Sequence, residues 1–252
     1  MADKTKEYIS IITDCAKGFE EVFLDKNYLI IYKDDTNAYR SVETIAYKSN
    51  YLHLTGVKTK LSKNEFFDKS ISSRLSESEI FIDKQSDVEK KMKVLGYAVS
   101  FPYTAKMTGY FLPRFSKNLY TEILVGNERF ALGFVKDKNT EYKYYVPNTL
   151  LDGNIKDHIG KAYPIDAVFV KNTKENNYLT LVHLSVRCKE KGLLSFPLSK
   201  QIKKQIARYI EQEQKTTVYN SIQEEVACSE VDSIEIEIKK WVFDYIGRAI
   251  HA

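Results

Sequence analysis

The chain has 252 residues, 43% hydrophobic and 29% charged, with a formal net charge of +4. This composition fits a soluble globular protein built as one large domain, or as a domain with an appendage. It excludes a membrane-spanning helix, because no apolar run approaches the ~18 residues that one needs. The mildly basic charge permits a nucleic-acid partner without demanding one.

Residues 5–24 carry Ile9, Ile12, Ala16, Phe19 and Phe23 at helical spacing, with Thr5 as a candidate cap. No apolar h-region follows Met1-Ala2-Asp3-Lys4-Thr5-Lys6, so no secretory leader is expected and the chain is assigned to the cytoplasm. Tyr28-Leu29-Ile30-Ile31-Tyr32 reads as a strand, Asp34-Asp35-Thr36-Asn37 as a turn, and Val42, Ile45 and Tyr47 as the returning strand of a hairpin. Ser62 caps a helix running to Leu75, with Glu65 at the capping-box position and Phe66, Phe67 and Ile71 as its apolar stripe. Residues 87–98 form a further helix with Val88, Met92 and Leu95 inward and Lys90, Lys91 and Lys93 outward.

From residue 118 the period changes to two. Strands over 119–125, 130–136 and 142–147, separated by Gly126-Asn127 and Lys138-Asn139-Thr140, predict an antiparallel meander. A short helix is expected over 150–159, then strands at 165–171 and 178–186. Gly192 and Pro197 punctuate a change of character. A helix over 199–213 begins with Lys200, Lys203, Lys204 and Arg208, the reverse of what the helix dipole favours, and 218–250 reads as helical too. The expected organisation is an α+β domain over 1–190 and a helical appendage over 191–252, the latter a candidate surface for a protein partner.

Cys15, Cys188 and Cys228 lie far apart, as do the four histidines, so neither a disulfide framework nor a metal-ligand motif is expected. The chemistry-bearing stretch is Leu52-His53-Leu54-Thr55-Gly56-Val57-Lys58-Thr59-Lys60. Histidine gives and takes protons near neutral pH, and ammonium groups answer the negative charge that develops at a phosphodiester. His53 is therefore a candidate acid/base, with a structural histidine as the alternative. Lys58 and Lys60 are candidates to hold a phosphate, with a solvated face as theirs. Thr55 donates to a non-bridging oxygen or simply forms the turn with Gly56. Eighteen tyrosines offer either stacking surfaces for bases or ordinary half-buried strand residues.

Several short motifs occur in a particular order: His53-Leu54-Thr55-Gly56, Arg74-Leu75-Ser76, Lys93-Val94-Leu95, Leu124-Val125-Gly126, Leu132-Gly133-Phe134-Val135-Lys136-Asp137 and Val146-Pro147-Asn148-Thr149-Leu150-Leu151. Over about residues 20–185 this order resembles the fourth phage-associated family of the barnase–EndoU–colicin–RelE nuclease superfamily. The resemblance implies N-terminal helices packed on an antiparallel sheet of about four strands. It also implies a metal-independent endoribonuclease with no cofactor, of the kind carried by bacterial mobile elements, cutting RNA through a 2′,3′-cyclic phosphate. With it, His53, Lys58, Lys106 and Lys136 become the catalytic candidates, and Thr55, Lys60, Thr108, Asn148 and Thr149 the substrate-binding ones. Lys106 and Thr108 lie in a Gly-containing loop that is either substrate-facing or an ordinary connection. Asn148 is either a cap for the 150–159 helix or, with Thr149, part of the cleft rim. His183, on the last strand, is a second acid/base or a buried structural histidine. Two rival readings share this fold: a non-catalytic module that binds RNA or protein, and a toxin-type effector held by a partner.

Overall fold

The computed structural model describes residues 2–82, 87–112, 120–141 and 143–216. The chain divides into two compact units, Met1–Ala207 and Arg208–Ala252. In the second unit the described residues, 208–216, are helical. The expected helix over 218–250 lies outside the described residues.

The first unit opens with α1, Ala2–Phe23, whose inward stripe is Tyr8, Ile12, Ala16, Phe19 and Phe23. Strand β1, Lys26–Lys33, buries six consecutive residues from Asn27 to Tyr32, because it has a strand on each side and packing on each face. It pairs antiparallel with β2, Tyr39–Thr44, as the hairpin pattern predicts, and on its other edge with β9, Tyr163–Asn172. A helical layer follows: α2, Tyr51–Thr55; α3, Lys63–Ile71, with Ser62 accepting from the Glu65 N–H at 3.2 Å; α4, Val88–Val99; and α5, Phe101–Thr104. Between α2 and α4 the short strands β3, Lys58–Thr59, and β4, Ile80–Phe81, pair with each other.

The remaining strands are β5, Met107–Tyr110; β6, Ile123–Gly126; β7, Phe130–Lys136; β8, Tyr145–Asp152; and β10, Thr180–Leu184. The predicted meander is present as β6–β7–β8. The expectation of about four antiparallel strands does not hold. The sheet has eight strands in the order β1-β2-β8-β7-β6-β5-β9-β10, and the β1–β9 pairing closes seven of them into a ring. The ring is mixed, because β2 meets β8 in parallel at Thr44 and Tyr145, with the Ile45 N–H donating to the Tyr145 carbonyl at 2.9 Å. A closed ring leaves fewer open edges than a four-stranded sheet would.

Two local expectations change with it. The Gly-containing loop around Lys106 becomes β5, held between β6 and β9. The helix expected over 150–159 is instead the second half of β8 followed by a 3-10 turn over Ile155–Asp157. Pairing with β7 keeps 150–152 extended: Leu132 opposes Leu150, Ala131 opposes Leu151 and Phe130 opposes Asp152.

The main core lies between the helices and one face of the sheet, where Phe19, Phe23, Tyr51, Phe67 and Phe101 meet Ile30, Ile123, Phe134 and Val168. A smaller cluster, Phe111, Leu124, Ala131, Ile155 and Ile159, fills the other face of the meander. After β10, α6 (Val186–Lys191) and α7 (Lys200–Gln205) continue the first unit. The Phe196 ring packs 5.8 Å from that of Tyr39, and the Gln205 carbonyl accepts from the Tyr178 N–H at 2.8 Å. The expected helix over 199–213 breaks at Ile206, whose N–H bonds the Ile202 carbonyl, and resumes at 207.

Candidate active site

His53 sits on α2. Tyr51, Leu54 and Thr55 are buried at i, i+3 and i+4, which turns this five-residue stretch into a helix and leaves His53 on its outer side. Tyr51 Oη donates to the Ile12 carbonyl at 2.5 Å and so ties α2 to α1. Thr55 points inward: its hydroxyl donates to the Leu52 carbonyl at 2.9 Å and accepts from the Val57 N–H at 3.4 Å. It is fully buried and builds the turn. Gly56 ends the helix at φ 72°, a left-handed conformation in which a side chain is strained, and a Cβ there would stand 2.8 Å from Lys91 Cδ.

Two lysines converge on His53. Lys63, the first residue of α3, places Nζ 2.8 Å from His53 Nε2, and Lys91 of α4 donates to the His53 backbone carbonyl at 2.8 Å. An ammonium group has only donors, so Nε2 accepts from Lys63 and the imidazole proton sits on Nδ1. Burial, then the Lys63 and Lys91 charges, hold the His53 pKa below its ordinary 6.5. Burial also lowers the Lys91 pKa below 10.5, with Asp87 opposing it. The ring is thus a neutral imidazole at pH 7, with one lone pair directed at an ammonium group.

Neither lysine stood out in the sequence. Lys63 lies beyond a turn and a cap, where no local period marks it. Lys91 reads as part of an outward run, yet it is three residues after Val88 and four before Leu95, both buried. That places it on the edge of the apolar stripe, the one signal that separates it from Lys90 and Lys93.

The other candidate residues are distributed over the fold. Lys58 lies on β3 opposite Phe81, and Lys60 Nζ stands 5.8 Å from the centroid of the same ring. Thr108 is fully buried and donates to the Leu124 carbonyl at 2.9 Å, so it is a structural bond of the sheet. Lys136 ends β7 opposite Tyr145, its N–H donating to Glu122 Oε1 at 3.1 Å. Asn148 is neither helix cap nor free rim residue. It occupies a bulge where the β7–β8 register shifts, its amide donating to the Tyr120 carbonyl at 2.5 Å and accepting from the Thr121 hydroxyl at 3.1 Å. Thr149 is buried opposite Gly133, where a Cβ would stand 2.5 Å from Thr149 Cγ2. Lys106 is exposed and lines a cleft with His183 and Lys189; no residue of α2, α3 or α4 lines it. The tyrosines divide: Tyr28, Tyr32, Tyr51 and Tyr178 are core residues, whereas Tyr103, Tyr110 and Tyr120 are exposed.

A family model described as phage-Barnase-EndoU-ColicinE5/D-RelE like nuclease4 matches residues 11–187, from within α1 through β10. The chain belongs to this nuclease family. No curated protein and no solved structure matches it. Among the described residues of this nuclease, no group of three or more His, Cys, Asp or Glu side chains is arranged to hold a metal ion, and no helix is long and apolar enough to cross a membrane.

Proposed function

We propose that this nuclease cleaves RNA by general acid/base chemistry at His53, through a 2′,3′-cyclic phosphate and without a metal ion. The observation that carries the proposal is His53 Nε2 held 2.8 Å from Lys63 Nζ, with Lys91 bound to the same turn. Such a reaction needs a base for the ribose 2′-OH, an acid for the leaving 5′-oxygen and positive charge for the phosphorane. In this proposal an incoming phosphate draws the exposed Lys63 ammonium group onto a non-bridging oxygen. That frees the Nε2 lone pair to take the 2′-OH proton. Lys91, a better acid than an ordinary lysine because burial lowers its pKa, protonates the leaving oxygen. Lys58 and Lys60 extend the positive surface along the strand. Two ammonium groups beside the ring repel a divalent cation, so the charge stabilisation falls to side chains.

The test is incubation with tRNA, a single-stranded RNA and the matching DNA in excess EDTA. RNA cleavage leaving 2′,3′-cyclic phosphate ends, with the DNA intact, is expected. Abolition by EDTA, or equal cutting of DNA, would overturn the mechanism. The pH profile carries its own sign. The base form of His53 already dominates at pH 6.5, so the acid limb should have its midpoint below 6.5. The alkaline limb should fall below 10.5 as Lys91 loses its proton, and Lys91→Arg should remove that limb alone.

A further inference from the structure

Strands β5 and β10 share one edge of β9. β5 pairs at Tyr163 and Pro164, while β10 pairs from Ala167 to Val170. The handover falls between Ile165, whose N–H donates to the Lys106 carbonyl at 2.9 Å, and Asp166, whose carbonyl accepts from the Ser185 N–H at 2.8 Å. Because neither strand spans the step, a cleft of about 650 Å³ opens there. This is within the ~300–1,000 Å³ typical of small-molecule sites.

The lining has two parts. Pro164, Ile165, Leu181, Val182, Leu184 and Val186 supply apolar surface, while Lys106, Lys189 and His183 supply the polar groups. Among the described residues, no carboxylate lines the cleft. The nearest along β9, Asp166, is 1% exposed and already engaged: it accepts from the Ser185 hydroxyl at 3.1 Å and from Arg187 at 2.5 Å. Its charge is matched on the spot and leaves the two exposed lysines uncompensated by it. An occupant that satisfies this lining combines a largely apolar body with negative charge.

We propose that the cleft binds one nucleotide unit, its phosphate held by Lys106 and Lys189 and its base lying on the apolar surface beside His183. For its substrate class this rests on the reading of the chain as an RNA-cleaving enzyme; the cleft and its charge do not. It serves as a subsite that grips the strand away from the His53 centre.

Isothermal titration of the full chain with the four nucleoside 3′-monophosphates tests this directly. Saturable binding that depends on Lys106 and Lys189 is expected. Because a bond to a charged group is worth roughly 1.5–3 kcal/mol, loss of both lysines in Lys106→Ala/Lys189→Ala should weaken binding by about 100-fold or more. Both side chains are exposed, so the variant should keep the wild-type circular dichroism spectrum. Three results would overturn the proposal: no binding, binding indifferent to the two lysines, or inorganic phosphate binding as tightly as the nucleotide. The two readings fail separately. Lysine-dependent binding without RNA cleavage keeps the cleft and removes the chemistry; cleavage without nucleotide binding does the reverse.

Discussion

Replacing His53 by alanine is expected to slow RNA cleavage by about 10²–10⁴-fold, the usual contribution of a positioned acid/base group. The fold should survive the change. The buried positions of α2 are Tyr51, Leu54 and Thr55, and the bond from Lys91 goes to the His53 backbone carbonyl, which alanine retains. A thermal melt unchanged within a degree or two, together with the loss of rate, would place the imidazole in the chemistry. A full rate in the variant would remove it. Lys63→Ala gives a second readout that a merely structural histidine would not show. Removing that cation should raise the His53 pKa and move the acid limb of the pH profile upward, because one of the charges depressing it is gone. An NMR titration of the ring follows the same shift without any substrate. The linkage to stability has the opposite sense to a salt-bridged histidine: the depressed pKa means stability is lost as pH falls below 6.5, where the unfolded chain takes up the proton more readily.

Phe101→Ala should destabilise the first unit by about 3–5 kcal/mol, the range for truncating a fully buried aromatic ring. Phe101 is 0% exposed and stands at the junction of three elements. It stacks on Phe23 of α1 at 5.1 Å, meets Tyr28 of β1 edge-on at 5.1 Å and lies 6.0 Å from Phe134 of β7. Its place on the chain is equally constrained, because Pro102 follows it in the short α5 and the Ala105 N–H bonds the Phe101 carbonyl at 2.9 Å. A cavity there cannot be closed by a shift of one neighbour. Urea denaturation followed by tyrosine fluorescence measures the loss; a change under ~1 kcal/mol would mean that the junction relaxes around the gap, contrary to its packing.

The helices α1, α3 and α4 and the meander β6–β8 were legible because each is written in local periodicity. The ring was not. Its closure joins β2 to β8 across a hundred residues, and no periodicity records a partner that distant. β5 has only four residues, and it is a strand because β6 and β9 hold it on either side. Pro147-Asn148 looks like the end of a strand, and a helix after it was the natural reading. The bulge absorbs Asn148 through bonds to Tyr120 and Thr121, so the strand runs on. The candidate site divides in the same way. His53 stands out by its residue type and its motif, whereas Lys63 and Lys91 reach it from ten and 38 positions away in the chain. Such convergence is a property of packed helices rather than of any segment.

The ring is no stronger than its seam. Most neighbouring strands are held by continuous ladders, but the β2–β8 pairing is confined to Thr44 and Tyr145, beside which the Ile45 N–H donates to the Tyr145 carbonyl. Parting them leaves the β1–β9 and β7–β8 ladders whole, so this seam is the place where local opening is expected before the sheet unfolds. Native-state hydrogen exchange should show it. The Ile45 amide is expected to exchange by local opening at denaturant concentrations that leave Ile30 and Phe169 protected, and those two should exchange only when the whole unit unfolds. Equal protection at all three would mean that the packing of the helices, rather than the strand pairing, keeps the barrel shut.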